Sequence, residues 1–466
     1  MSEIITMSVN PTVTVSVTIN SNPAGAICQG TPVTFTAYPT NSGSEPEYQW
    51  TLNGSPIAGA IENTYTSNTL NNGDQIRCII TSNANCASES SATSLPINMS
   101  VNPLLPVSIS ISASDNPVCS GASVVFTATP QNPGLNPLFN WLVNGNQTGS
   151  SNPVYQYVPA NGDVVSCILT SSELCSTNNP ATSNGITMTV HPVPQVTITP
   201  CNDLITITTA KPFRLKGGLP LGGVYFGSGV NLLTGKFDPA TALLGNNVIT
   251  YTYTNFNLCA ASNVITIQVL PPPVFTCGDE MTDLRDGRTY PTFILPNGRC
   301  WMASNLSYGD SIIGSKHQTD NCISEKYCPE GIPVKCNQFG GMYQWDEIMR
   351  YESDESGQGL CPPGWHVASS ADWDELLFFN SGASQAGTIL KDSLLVNGFN
   401  ALLGGIYYQN SIWSFYLSPT EGSMFWTSTL YSSQKAIARG LNRKNQSVSY
   451  YPANRNNAFS VRCVLD

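Results

Sequence analysis

Cysteine is the residue with the widest chemical scope in this sequence: 15 are present, beside only three histidines, His191, His317 and His366. Thiolates and imidazoles at tight spacing hold zinc, but no CxxC pair occurs and the histidines are scattered. Disulfides formed in an oxidising compartment are the chemistry that remains. A Cys–His nucleophile at Cys361 and His366 would need a free thiolate, and pairing of Cys361 with Cys463 makes His366 structural. Carboxylates cluster at Asp346-Glu347 and at Asp372, Asp374 and Glu375, on segments with helical patterning, where they read as caps or solvated faces. Nothing sets two of them across a cleft as glycoside hydrolysis requires. No Asp-x-Asp-x-Asp-Gly calcium loop is present. The glycines of Gly217-Gly-Leu-Pro-Leu-Gly-Gly223 lead into a strand rather than a helix, so they read as a turn and not as a phosphate cradle. The residues therefore point to no enzyme, no cofactor and no metal. One cluster suits binding: Tyr407, Tyr408, Trp413 and Tyr416 crowd into residues 404–416 among Gly and Ser. Those that escape the core are candidates to stack on a sugar ring or to anchor a partner protein.

The elements that must position these residues follow from composition and repetition. Only 11% of residues are charged and the net charge is −11, which speaks against nucleic acid and against docking on anionic lipid. No apolar run reaches the roughly 18–20 residues of a membrane span. Cys28-Gln-Gly and Cys119-Ser-Gly, Tyr48-Gln-Trp50 and Phe139-Asn-Trp141, and Asn72-Gly-Asp and Asn161-Gly-Asp recur about every 90 residues. Cys78 matches Cys167, and Cys86 matches Cys175. Both copies end alike, in Ile97-Asn-Met-Ser-Val-Asn-Pro103 and Ile186-Thr-Met-Thr-Val-His-Pro192. The same ending stands at Ile5-Thr-Met-Ser-Val-Asn-Pro11, so residues 1–11 read as the closing strand of a further repeat and the chain as part of a longer polypeptide. Alternation at Val33, Phe35 and Ala37 and at Ile76, Cys78 and Ile80 predicts half-buried strands, with Trp50 and Trp141 as core.

Residues 193–270 read as a diverged third copy, lacking the Trp but carrying Leu204-Ile-Thr-Ile-Thr-Thr and Val248-Ile-Thr-Tyr-Thr-Tyr-Thr as strands. After the stiff Pro271-Pro-Pro273, six of the eight tryptophans lie beyond residue 300, and Ser369-Ser-Ala-Asp372 reads as a helix capping box. A second short helix is expected within Met342–Arg350.

The repeats resemble the PKD-like and immunoglobulin-like repeats of Bacteroidetes surface proteins. The C-terminal part carries Asp283-Leu-Arg-Asp-Gly-Arg, Gly298-Arg-Cys-Trp-Met, Gly340-Gly-Met-Tyr-Gln-Trp, Cys361-Pro-Pro-Gly-Trp-His, Phe425-Trp-Thr-Ser-Thr and Phe459-Ser-Val-Arg-Cys463 in order. It resembles the Fibrobacter succinogenes major paralogous domain, a relative of the C-type-lectin-like fold and, distantly, of the formylglycine-generating fold. The calcium-lectin signatures Glu-Pro-Asn, Gln-Pro-Asp and Trp-Asn-Asp are absent. The resemblance implies a mainly β chain of tandem immunoglobulin-like sandwiches followed by an α+β C-type-lectin-like domain, with the type IX route of export. The divisions are a closing strand at 1–11, repeats at 12–103, 104–192 and 193–270, a linker at 271–276, and the lectin-like domain at 277–466.

The third repeat keeps only Cys201 and Cys259, which align with Cys28 and Cys86. Pairs Cys28–Cys86, Cys119–Cys175 and Cys201–Cys259 are therefore expected, with Cys78 and Cys167 as buried free thiols. Cys277–Cys300, Cys328–Cys336 and Cys361–Cys463 are expected in the last domain, leaving Cys322 spare. The expected role is an extracellular cell-surface adhesin, a stalk presenting a lectin-like domain to a glycan or a surface protein. The alternative is an assembly component of a surface filament or layer.

Overall fold

The computed structural model describes residues 5, 7–392, 398–408, 414–417 and 421–466, with the side chains of 414–417 left aside. Two compact units, Met1–Pro192 and Val193–Asp466, make up the chain.

The first unit holds two β-sandwiches built to one plan. In the first, Ser16–Asn22, Val33–Thr40 and Thr64–Ser67 form one antiparallel sheet, and Glu47–Leu52, Gln75–Thr81 and Ser91–Thr93 form the core of the other. Val33, Phe35, Trp50, Ile76, Cys78 and Ile80 lie wholly buried between them, as the period-two pattern requires. The second sandwich buries Val124, Phe126, Trp141, Val165, Cys167 and Leu169 in the matching places. Even the polar details repeat. Trp50 Nε1 donates to Glu62 O (2.9 Å) and Trp141 Nε1 to Asn152 O (2.8 Å). The amides of Cys78 and Cys167 donate to Ser94 Oγ (3.0 Å) and Ser183 Oγ (2.9 Å). Each closing strand runs parallel to the strand that carries the opening cysteine, so that Asn102 lies opposite Cys28 and His191 opposite Cys119. Residues 7–12 join no strand, and Met7 and Val9 are exposed.

In the second unit, Ile205–Ile207, Ala260–Leu270, Gly245–Thr254 and Val224–Phe226 form a four-stranded sheet over Leu215, Phe237, Ile249, Ile267 and Val269. The glycine-rich turn is shaped by an aromatic ring. A Cβ at Gly218 or Gly223 would sit 2.6 or 2.5 Å from the Tyr251 ring, and Gly223 N donates to the Tyr251 hydroxyl at 2.8 Å. This is the packing reason for glycine there, and it supports the reading as a turn.

The C-terminal part is α+β. Glu280–Thr282, Thr289–Ile294, Cys300–Met302, Cys463–Leu465 and Trp365–Val367 form a five-stranded sheet. A three-stranded sheet, Gly422–Leu430, Lys435–Asn442 and Val448–Asn454, and the helix Ser370–Phe379 pack around Trp301, Trp373, Phe399 and Phe425. The capping box is present: Ser369 Oγ accepts from Asp372 N (3.1 Å) and the Asp372 carboxylate from Ser369 N (2.8 Å). The second helix is shorter than expected, Trp345–Ile348, because Tyr343–Gln344 is taken into a sheet with Ala458–Phe459. Arg462 is completely buried and has no carboxylate partner among the described residues; its guanidinium donates to Asn305 Oδ1 (2.7 Å), Met302 O (2.9 Å), Phe399 O (2.8 Å) and Asn400 O (3.0 Å).

The disulfides correct the expected framework in the repeats. Cys28 bonds Cys175 in the next sandwich, so neither Cys28–Cys86 nor Cys119–Cys175 forms. Cys201 bonds Cys322 and not Cys259, so Cys322 is not spare. Cys119 and Cys259 are themselves disulfide-bonded. Cys86 is free and exposed, while Cys78 and Cys167 are free and buried. The physical reason is placement: the opening cysteine lies on a strand beside the module's exit, where the next module begins. Cys277–Cys300, Cys328–Cys336 and Cys361–Cys463 are bonded.

Candidate functional site

The aromatic segment divides on inspection of its sheet. Ile406–Tyr408 is an interior strand, flanked by Ala458–Phe459 and Ser414–Leu417. An interior strand turns one face to the core, and that face takes Tyr407, only 3% exposed. Its hydroxyl donates to Gly314 O (2.7 Å), and burial pushes the phenol up to about 12. Tyr407 is therefore a core residue, which corrects its place among the binding candidates. Tyr408 is half-buried with its ring edge-on to Phe459 at 6.0 Å. Trp413 lies outside the described residues, as does the side chain of Tyr416.

His366 is held on both sides. Its ring nitrogens lie 2.7 Å from Asp466 Oδ1 and 3.2 Å from Asp372 Oδ2, and Lys211 meets the same Asp466 carboxylate at 3.0 Å. Burial pulls the imidazole down, but the bonds to Asp372 and Asp466 outweigh it and raise its pKa. With Cys361 in a disulfide and both ring nitrogens engaged, the pair forms no nucleophile.

A different site emerges where strand Ile205–Ile207 faces the segment 349–363. There a shallow cleft with about 40 Å³ of internal room is lined by Asn202, Asp203, Thr206, Phe213, Arg350 and Gln358, among others. Its charged edge is pre-set. Asp203 accepts from Arg350 Nη2 (2.5 Å), Arg285 Nη1 (3.3 Å) and the Tyr308 hydroxyl (3.2 Å). Arg285 also bonds Asp283 (2.7 Å) and lies over the Tyr308 ring at 3.8 Å. Burial would raise the Asp203 carboxyl, but Arg350 and Arg285 hold it down at about 2. Cys201–Cys322 and the bond from Lys216 Nζ to Arg350 O (2.7 Å) brace the same wall.

The cleft also exposes an imbalance. Thr206 is 2% exposed and its Oγ1 has no hydrogen-bond partner in the protein. Gln358 is 8% exposed; its Nε2 donates to Cys361 O (2.9 Å), but its Oε1 has no partner in the protein either. A buried polar group left unmatched costs about 1–3 kcal/mol. Both residues line the cleft beside the aromatic ring of Phe213, although the two unmatched atoms are themselves closed to solvent. In the neighbouring cavity, Glu347 accepts from Glu325 N (2.8 Å) and the Tyr351 hydroxyl (2.8 Å), and burial pushes it up to about 7. Sequence reasoning missed this site. Thr206 was legible only as a strand residue, and Gln358 sits between two glycines in a loop with no pattern to mark it. Among the described residues no group of three or more His, Cys, Asp or Glu is placed to hold a metal, and no helix is long and apolar enough to cross a membrane.

Residues 296–465 match the family described as the Fibrobacter succinogenes major domain. No curated protein matches the chain. Solved structures with some likeness include a Ca2+-stabilized adhesin that helps an Antarctic bacterium reach out and bind ice, at 13% identity and TM-score 0.31, over 57% of this chain and 75% of that one. A 1.5-MDa bacterial ice-binding adhesin has the same identity and TM-score, over 57% of this chain and all of that one (100%). The N-terminal eight Ig domains of Down Syndrome Cell Adhesion Molecule follow at 12% identity and TM-score 0.26, over 55% of this chain and 36% of that one. At these scores nothing about ligand follows from them. The chain is a multidomain, β-rich, extracellular surface chain of repeat modules with a distinct Fibrobacter-type module at its C-terminal end.

Proposed function

We propose that the chain belongs to a cell-surface adhesin, that its repeats act as a stapled spacer, and that its receptor site is the Asp203–Gln358 cleft, which takes a saccharide. The carrying observation is the pair of unmatched buried atoms, Thr206 Oγ1 and Gln358 Oε1, on the walls of one cleft. One sugar hydroxyl enters the cleft towards Thr206 and Gln358, whose side chains turn to meet it, and the ring's C–H face rests on Phe213 at the mouth. The ion-paired Asp203 and Arg350 are fixed before ligand arrives, so little ordering cost attends binding. The repeats support the spacer role, since their recurring residues Trp50, Trp141, Cys78 and Cys167 are all spent on core packing.

Thr206→Val tests this without disturbing shape. It removes an oxygen that no protein group uses, so the second unit should unfold at the same or a slightly higher temperature, a gain of up to about 1 kcal/mol. Saccharide binding by the whole chain, screened on a glycan array and measured by saturation-transfer NMR, should fall about tenfold. A wild-type chain that captures no saccharide, or a variant that binds as well as wild type, would remove the cleft from consideration. Chain-to-chain assembly in place of glycan capture would favour the filament or layer reading.

A further inference from the structure

The free thiol of Cys86 has a bonded counterpart one repeat further on. Cys175 occupies the same repeat position and is joined to Cys28, the opening cysteine of the preceding sandwich. The backbone explains how the two sulfurs meet. Cys28 lies opposite Asn102 on the closing strand. Three residues on, Leu105 N donates to Cys175 O (2.9 Å), and Leu105–Pro106 runs parallel to Ser176–Thr177. The closing strand thus carries the opening cysteine of its own sandwich to the next sandwich's Cys175.

The same half-site is assembled at Cys86. Val13 N donates to Cys86 O (3.0 Å), Ser88 N donates to Val13 O (2.8 Å), and Val13 bridges Ala87 in parallel. Val13 follows Asn10 by the interval that separates Leu105 from Asn102, and Asn10 ends the third example of the closing-strand sequence, Ile5 to Asn10. Cys175 is buried, 5% exposed, under the preceding sandwich, whereas Cys86 is exposed. Cys201, the opening cysteine of the third repeat, also bonds forward, to Cys322.

We propose that Cys86 is the acceptor of an inter-repeat disulfide whose partner is the opening Cys-x-Gly cysteine of a further copy of this repeat, seated on residues 7–11. The staple between Cys28 and Cys175 is then one rung of a ladder in which every opening cysteine bonds forward. Formation joins the two Sγ atoms and releases two protons and two electrons. A disulfide of the oxidising compartment, carried by a thiol oxidoreductase or a small molecule, accepts the electrons and is reduced to two thiols. The thiolate of one cysteine attacks the oxidant's disulfide, and the second thiolate displaces the resulting mixed bond.

The test begins with the chain as it stands. Native alkylation with iodoacetamide should label Cys86 alone, leaving Cys78 and Cys167 for the denatured protein; a protected Cys86 would overturn the proposal. Next, residues 1–11 are replaced by a copy of residues 12–103, which ends in the same strand sequence, and the extended chain is secreted under oxidising conditions. Non-reducing peptide mapping is read on material in which Cys28–Cys175 is intact, so that misfolded chains do not count. The added copy's opening cysteine should be linked to Cys86, with the loss of one alkylatable thiol from that position. In the extended chain carrying Cys86→Ala that opening cysteine should become alkylatable. An extended chain with Cys86 still free, or bonded to Cys86 of a second molecule, would overturn the proposal.

Discussion

In the first unit the largest buried side chains are Trp50 and Trp141, each with its one polar atom matched by a backbone carbonyl. In the second unit the interior also takes Arg462, Arg285 and Asp283, and the matching is done by networks. The first arrangement repeats because any sandwich of this plan can supply it from local alternation. The second is specific to one set of partners drawn from distant stretches of chain, and among the described residues it leaves eight buried polar atoms over, Thr206 Oγ1, Gln358 Oε1, Trp301 Nε1 and Trp373 Nε1 among them. Regular packing gives a spacer that can be copied; irregular polar packing gives a surface with unmet valence.

The largest effect that tests this contrast lies at Arg462. Replacing it by Met keeps much of the volume but orphans Asn305 Oδ1 and three backbone carbonyls. Burial already holds the guanidinium's pKa below its ordinary value, to about 9, and the four acceptors match the N–H groups of the charged form. Arg462→Met should cost the second unit about 3–5 kcal/mol. Denaturant unfolding should show that transition moving while the first unit's stays in place. Equal shifts in both transitions would dissolve the contrast.

Two carboxylates in the second unit, shifted in opposite directions, give it a pH dependence of its own. Glu347 is raised to about 7 by burial, so the stability it contributes is full below its unfolded value near 4.5. That stability is lost as pH rises through 7. Glu347→Gln keeps an acceptor for Glu325 N and lets its amide donate to the Tyr351 hydroxyl, and it should recover up to about 3 kcal/mol at pH 8 and nothing at pH 4. Asp203 works in the opposite sense. Held at about 2, it contributes stability above its unfolded value near 4, lost as pH falls from there through 2. Asp203→Asn should cost about 2 kcal/mol at pH 6 and have little effect at pH 2. Thermal scans of the two variants across pH 2–8 check both signs, and parallel curves for either variant and wild type would refute that assignment.

How much of this was legible in advance follows the same division. The sandwiches were readable because burial in a strand leaves a period of two, and Val33, Phe35 and Ala37 print it directly. The capping box at Ser369 and Asp372 was readable because both partners lie within one turn of helix. The disulfide connectivity was not. Equivalence of Cys28 with Cys119 says which cysteines share a position, but not whether a position faces its own module or the next. Tyr407 was misplaced for a related reason: a run of aromatics does not say which strand is interior. The cleft was invisible because Thr206 and Gln358 meet only in the folded chain.

The smallest predicted effect concerns the two buried thiols and asks how alike the repeats are. Cys78 and Cys167 sit on equivalent strands, opposite Trp50 and Trp141, with burial pushing each thiol up to about 11. At pH 8 the thiolate fraction is then very small, and neither should react with alkylating agents before unfolding. Their contribution is volume in the core. Truncation to Ala removes one sulfur from a closely packed layer and should cost about 1 kcal/mol in either sandwich. Ser should cost more, because the hydroxyl enters an apolar layer where sulfur makes only a long contact to the next residue's carbonyl, 3.8 Å for Cys78 and 3.9 Å for Cys167. The order Ala milder than Ser, and the same in both repeats, is the expected result of paired thermal unfolding. A Cys78 variant that behaves unlike its Cys167 counterpart would show that the shared plan stops short of energetic equivalence. The copied spacer would then be a likeness of sequence and backbone alone.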